Sequence, residues 1–166
     1  HTEIYKDISD VYEKKRDFPK AIEAYKNYLD EMKSSPDISD LFLYGRLNYY
    51  AATDSAYQDK QPTYLAEADT IFAQVAVKVP DNYLGNFWRA RVNSLRDPET
   101  TQGLAKPYYE AALSILEQKP DATKSVLVEC NSYLGYYYFV KEDYNQSKQY
   151  WNKILEIDPE NETATK

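Results

Sequence analysis

Between Val128 and Pro159 the apolar and small positions fall into two clusters: Leu134, Gly135 and Tyr138 in the first, Ser147, Trp151 and Ile154 in the second. A polar stretch at Lys141 to Asp143 separates them. The spacing within each cluster predicts an amphipathic helix, so the segment reads as two helices joined by a short loop. Gly135 and Ser147 lie where these helices would cross closely, because a large side chain at either place would hold the backbones apart. Leu134, Tyr138, Trp151 and Ile154 would fill the space around that crossing.

A punctuation signal recurs along the rest of the chain as Pro36-Asp37, Pro80-Asp81, Pro120-Asp121 and Pro159-Glu160, at intervals of 44, 40 and 39 residues. Proline cannot continue a helix but suits the first turn of a new one, where the following acid complements the positive end of the helix dipole. Each pair therefore marks a junction. The pattern predicts eight helices near residues 3–15, 18–33, 37–53, 63–78, 82–95, 102–118, 122–141 and 144–157.

The first segment repeats the motif of the last as Ile8-Ser9, Tyr12, Ala21, Tyr25 and Tyr28, again with twelve residues from one small position to the next. In the second, Tyr44-Gly45 leads to Ala68, Phe72, Val75 and Pro80, but 23 residues separate Gly45 from Ala68. About 11 extra residues are expected there, in a loop near Thr53 to Thr63. In the third, Arg89-Ala90 leads to Ala105, Tyr109 and Ala112 with 15 residues between the small positions, and Asp97-Pro98 supplies a stop signal. Asn48 and Asn93 stand where the motif has an aromatic.

This arrangement resembles the tetratricopeptide (TPR) repeat family: an apolar-plus-small pair, an aromatic three residues later, a second small residue twelve after the first, then an aromatic, an apolar and a proline. The resemblance implies an all-α fold, an α-α superhelix (TPR solenoid) of about four helix-turn-helix repeats near 2–36, 37–80, 81–120 and 121–159, forming a single array over residues 1–166. Such arrays usually end in an extra helix with a polar outer face, and none is predicted after Pro159. The expectation is a fragment of a longer protein, or a last helix pair covered by another subunit.

Composition narrows the function. The chain has 18 tyrosines against 4 glycines, which favours helices packed through large amphipathic rings over a sheet-and-turn protein. Its net charge of -7 and pI near 4.8 repel nucleic acid and anionic membranes, so the expected partner is a protein or peptide. No apolar run is long enough to be inserted in a membrane. With His1 as the one histidine, at the terminus, most general-base, triad and metal schemes are removed. Cys130 falls on the buried side of its helix and reads as core. Gly45, Gly85, Gly103 and Gly135 are isolated and form no phosphate loop. The chain is thus expected not to be an enzyme and to need neither cofactor nor metal; cytoplasmic and exported locations both fit.

The family resemblance also implies a concave groove lined by the first helix of each repeat. The side of each first helix opposite its small residue presents Phe42, Arg46 and Tyr49 in the second repeat, Phe87 and Arg91 in the third, and Tyr136 and Phe139 in the fourth. Stacking would align Phe42 with Phe87 and Arg46 with Arg91. Aromatics with arginine are typical of binding hot spots, and an arginine fork grips a carboxylate with two hydrogen bonds, so the implied ligand is a segment with apolar anchors and an acidic group. The same residues also suit plain packing, with arginines lying over rings as solvated cover. Asp10 stands where family members that grip chaperone C-termini carry asparagine, which disfavours that ligand. Two further readings stay open: a binding loop at Tyr57 to Tyr64, and a structural or self-assembly module that self-associates through an uncapped terminal repeat.

Overall fold

A computed structural model describes residues 2–165; His1 lies outside the described residues. The described chain is all-α, with helices α1 (Glu3–Lys14), α2 (Phe18–Glu31), α3 (Ile38–Thr53), α4 (Gln61–Lys78), α5 (Leu84–Arg96), α6 (Lys106–Leu116), α7 (Lys124–Val140) and α8 (Tyr144–Ile157). It divides into two compact units, His1–Pro80 and Asp81–Lys166, with four of these helices in each.

In the first unit α1 packs on α2, α2 on α3 and α3 on α4. Tyrosines dominate the core between them: Tyr25, Tyr28 and Tyr44 are buried with Leu41, Leu47, Ile71 and Val75. The Tyr25 and Tyr44 rings stack at 6.0 Å, and Tyr28 meets Tyr25 edge-on at 5.4 Å. A buried phenol needs a partner for its hydroxyl. Asp40, itself buried, provides it, accepting from Tyr28 at 3.2 Å and from Tyr25 at 3.5 Å while Lys6 approaches the same carboxylate at 3.6 Å. Burial, reinforced by the Asp40 charge, pushes the Tyr25 and Tyr28 hydroxyls above the ordinary tyrosine range, and burial holds Tyr44 at about 12.

The close helix crossings sit at the small residues. Ser9 Oγ donates to the Ala21 carbonyl at 2.8 Å between α1 and α2. In the second unit the roles are exchanged, with Ser147 Oγ on α8 donating to the Gly135 carbonyl on α7 at 2.8 Å. Ala68, Ala90 and Ala105 have zero exposure at the remaining small positions.

The two regular repeats share one turn. Arg16 and Glu142 both adopt left-handed backbone, with φ of 58° and 60°. Each amide closes the preceding helix (Arg16 on the Glu13 carbonyl, Glu142 on that of Phe139), and the aspartate that follows, Asp17 or Asp143, caps the next helix. A side chain in this region carries a steric cost that glycine avoids. Glu142→Gly is therefore expected to stabilise the chain by about 0.5–1 kcal/mol in urea denaturation, against the usual direction of a change to glycine.

Both insertions are more ordered than the spacing suggested. The stretch expected as a loop near Thr53 to Thr63 contains a 3-10 helix over Ser55–Lys60, and α4 already begins at Gln61. Asp54 organises it: its side chain accepts from the Ala56 amide at 2.9 Å and from Arg16 Nη2 at 2.6 Å, which keeps the carboxyl below the usual range. Tyr57 turns back on the first repeat, its hydroxyl donating to the Arg16 carbonyl at 3.2 Å and its ring edge-on to Phe18 at 6.3 Å. In the other insertion, buried Asp97 accepts from the amides of Gln102, Gly103 and Leu104, so that α6 starts at Lys106 instead of near 102. Burial raises the Asp97 pKa, but these amides outweigh it and the net shift is downward.

Candidate partner-binding surface

The residues expected on a groove wall divide between the units. In the first, α3 carries Phe42, Arg46 and Tyr49 at helical spacing, all half-buried. The Phe42 ring lies edge-on to Phe72 at 5.9 Å, and Tyr49 edge-on to Tyr50 at 6.0 Å. Arg46 lies over the Tyr50 ring at 5.3 Å and approaches Glu13 at 3.8 Å.

In the second unit, Phe87 is 3% exposed, edge-on to Tyr83 and Tyr109. It supports the wall from beneath and cannot itself reach a partner, because the α6 aromatic at Tyr109 occupies the space in front of it. Arg91 lies over Phe87 at 4.5 Å and over Trp88 at 4.9 Å. Its guanidinium fork is already engaged: Nε and Nη2 donate to the two carboxylate oxygens of Glu129 at 2.8 and 2.7 Å, and Tyr109 donates to the same carboxylate at 3.1 Å. Arg91 therefore ties α5 to α7 through Glu129. An acidic ligand would have to displace an internal carboxylate held by three hydrogen bonds, so the arginine is a clamp first. Helical periodicity gives no sign that Glu129 closes the fork.

The exposed aromatic surface lies further along α7. Tyr136 and Phe139 are 43% and 55% exposed, and Tyr144 at the start of α8 is 60% exposed. The Phe139 and Tyr144 rings meet edge-on at 5.8 Å across the interhelical turn. Together with Lys148, Trp151 and the segment 163–165 they border an open cleft of about 520 Å³. Trp151 is fixed in it by a hydrogen bond from Nε1 to Ser147 Oγ at 3.1 Å. The sequence motif does not single out Tyr144 or the 163–165 segment, and Trp151, expected at the helix crossing, lies there against Gly135 and borders the cleft as well. Tyr144 had a signal available, as a large aromatic on the first turn directly after the loop.

Little in the surroundings offers chemistry. Cys130 has zero exposure, and burial pushes its thiol up to about 12, which keeps it protonated and unreactive at neutral pH. Among the described residues there is no group of three acidic, histidine or cysteine side chains placed to hold a metal ion, and no helix long and apolar enough to cross a membrane.

No family model and no curated protein matches the sequence. A solved structure does: the crystal structure of the C-terminal part of a TPR repeat-containing protein from Cytophaga hutchinsonii is similar to 99% of this chain, with 32% identity and a TM-score of 0.84. The chain spans 58% of the length of that one. The fold class is accordingly the all-α, helical-repeat class of TPR proteins, an architecture typically used as a protein-interaction scaffold and typically not catalytic.

Proposed function

We propose that this chain binds a segment of a partner protein and that the α7–α8 cleft is the place where it does so. The observation that carries this reading is the trio Tyr136, Phe139 and Tyr144, three large aromatics left exposed beside an open cleft of about 520 Å³. Isolated exposed aromatics are ordinary, but a cluster bordering a concavity is the usual make-up of a hot spot. Lys148 at its edge favours an apolar anchor followed by an acidic or carbonyl group. The α3 residues Phe42, Arg46 and Tyr49 form a second, flatter aromatic face with a cation, which suits an ancillary contact.

A photo-crosslinking amino acid at position 139 identifies the bound protein, and titration of that protein against variants then tests the site. Tyr136→Ala with Phe139→Ala is expected to weaken binding more than tenfold, as loss of hot-spot rings does, while unfolding free energy changes by less than about 1 kcal/mol because both side chains are exposed. Unchanged affinity would sink the assignment of this cleft. Arg91→Ala is a poor probe of binding, since it also strips the Glu129 carboxylate of its cation and leaves it to Tyr109 alone.

A further inference from the structure

A hollow of about 270 Å³ opens in the second unit where the ends of α6 and α8 meet the N-terminal half of α7, with Leu116, Leu127 and Ile157 as its apolar sides. Asn131 borders the same hollow and is 1% exposed. Its Nδ2 donates to the Leu127 carbonyl at 2.8 Å, while its Oδ1 is buried with no hydrogen-bond partner. A buried acceptor left without a donor is costly and rare in a folded chain. The fold itself does not call for an amide at this place. Asn131 stands four residues before the crossing glycine of α7, and the same position on α3 holds Leu41, packed into the core of the first unit.

We propose that this hollow is a second binding site and that its occupant is an arginine side chain of a partner protein. The unmet atom is an acceptor, so the occupant must bring an N–H. The apolar sides suit a methylene stem of the kind that long basic side chains carry. Of the charges at the edge, Lys153 is neutralised by Glu117 at 2.9 Å, whereas Glu156 is exposed and has no ion pair among the described residues. Lys119 is exposed as well, and its stem leaves the ammonium in water. A cation is therefore favoured over a neutral amide, and the net charge of -7 draws it in from a distance. A guanidinium fits better than an ammonium, because its spread donors can meet an amide oxygen inside and a carboxylate at the edge together, and it is more weakly hydrated.

The site shares no residue with the α7–α8 cleft proposed above, so either can fail without the other. Titration of the full chain with n-butylguanidinium, followed by heteronuclear NMR, tests it. Saturable shifts are expected at the Asn131 side-chain amide and at the backbone amides of Leu127 and Lys153, with a Kd of about 1 mM for so small a probe. N-butylurea, alike in shape but neutral, should bind about tenfold more weakly. Asn131→Leu, a side chain that the fold accepts at Leu41, should abolish the response at the two backbone amides. Glu156→Gln, at an exposed position, should weaken binding about threefold and leave the circular dichroism spectrum unaltered. The absence of any saturable shift overturns the proposal, as does a response that survives Asn131→Leu. Equal binding of the urea, or an affinity indifferent to Glu156→Gln, overturns the assignment of a cationic occupant.

Discussion

Phe72→Ala is expected to cost about 3–5 kcal/mol. Its ring has zero exposure and lies across α3 at Gly45, where an added Cβ would stand 2.7 Å from Cε1 and 2.8 Å from Cζ. Gly45 contributes no side chain that could relax into the space, so the cavity would stay open. The consequence reaches the surface, because Phe42 rests edge-on against the same ring. A double-mutant cycle makes the test specific. Gly45→Ala alone is expected to destabilise through that clash, yet in the Phe72→Ala background the methyl fills part of the void and should recover roughly 1 kcal/mol. Urea denaturation followed by circular dichroism reads both effects, and strict additivity would mean that the two residues do not share the site.

Gly135→Leu is expected to cost about 3 kcal/mol, at the upper end for overpacking. A Cβ at Gly135 would lie 2.8 Å from Trp151 Cε2 and 3.0 Å from its Nε1, and the leucine branch has nowhere to go except through the indole. Moving Trp151 also breaks a short relay in which Trp151 donates to Ser147 Oγ and Ser147 donates to the Gly135 carbonyl. Because Trp151 borders the proposed cleft, the substitution should shift the tryptophan emission to the red and weaken capture of the partner together with stability. Gly135→Ala is milder: the gain in helix propensity, about 1 kcal/mol, opposes a clash with a side chain that can tilt. A Gly135→Leu protein as stable as the parent would place the α7–α8 crossing elsewhere.

The helices were legible because their signals are local. Helical spacing around Ser9, Gly45, Ala90 and Gly135 located the four first helices, and the matching small residues at Ala21, Ala68, Ala105 and Ser147 located the crossings or, for Ala105, the turn just before its helix. Helix starts next to insertions were less legible. The onset of α6 depends on one buried carboxylate, Asp97, collecting three amides, and the 3-10 helix at Ser55–Lys60 depends on Asp54 and on Tyr57 finding Phe18 and the Arg16 carbonyl. The Tyr57 contacts reach back 41 residues to Arg16, and the Asp97 and Asp54 contacts form within irregular turns; no spacing rule within a helix reports either kind.

The candidate surface was legible only in outline. Tyr136 and Phe139 were placed on the outward side of α7 by periodicity, and they are exposed. Periodicity treats Phe87 as their counterpart, but Tyr109 covers it, and it marks Arg91 as an open fork although Glu129 fills it. What the sequence determined by itself is the set of helices, the small residues at their crossings and the abundance of tyrosine, since these follow from the 3.6-residue period and from composition. Only the tertiary structure decided which aromatics are buried, which charges are already paired, and which face of α7 remains uncovered, because exposure and ion pairing are properties of neighbours brought together from distant parts of the chain.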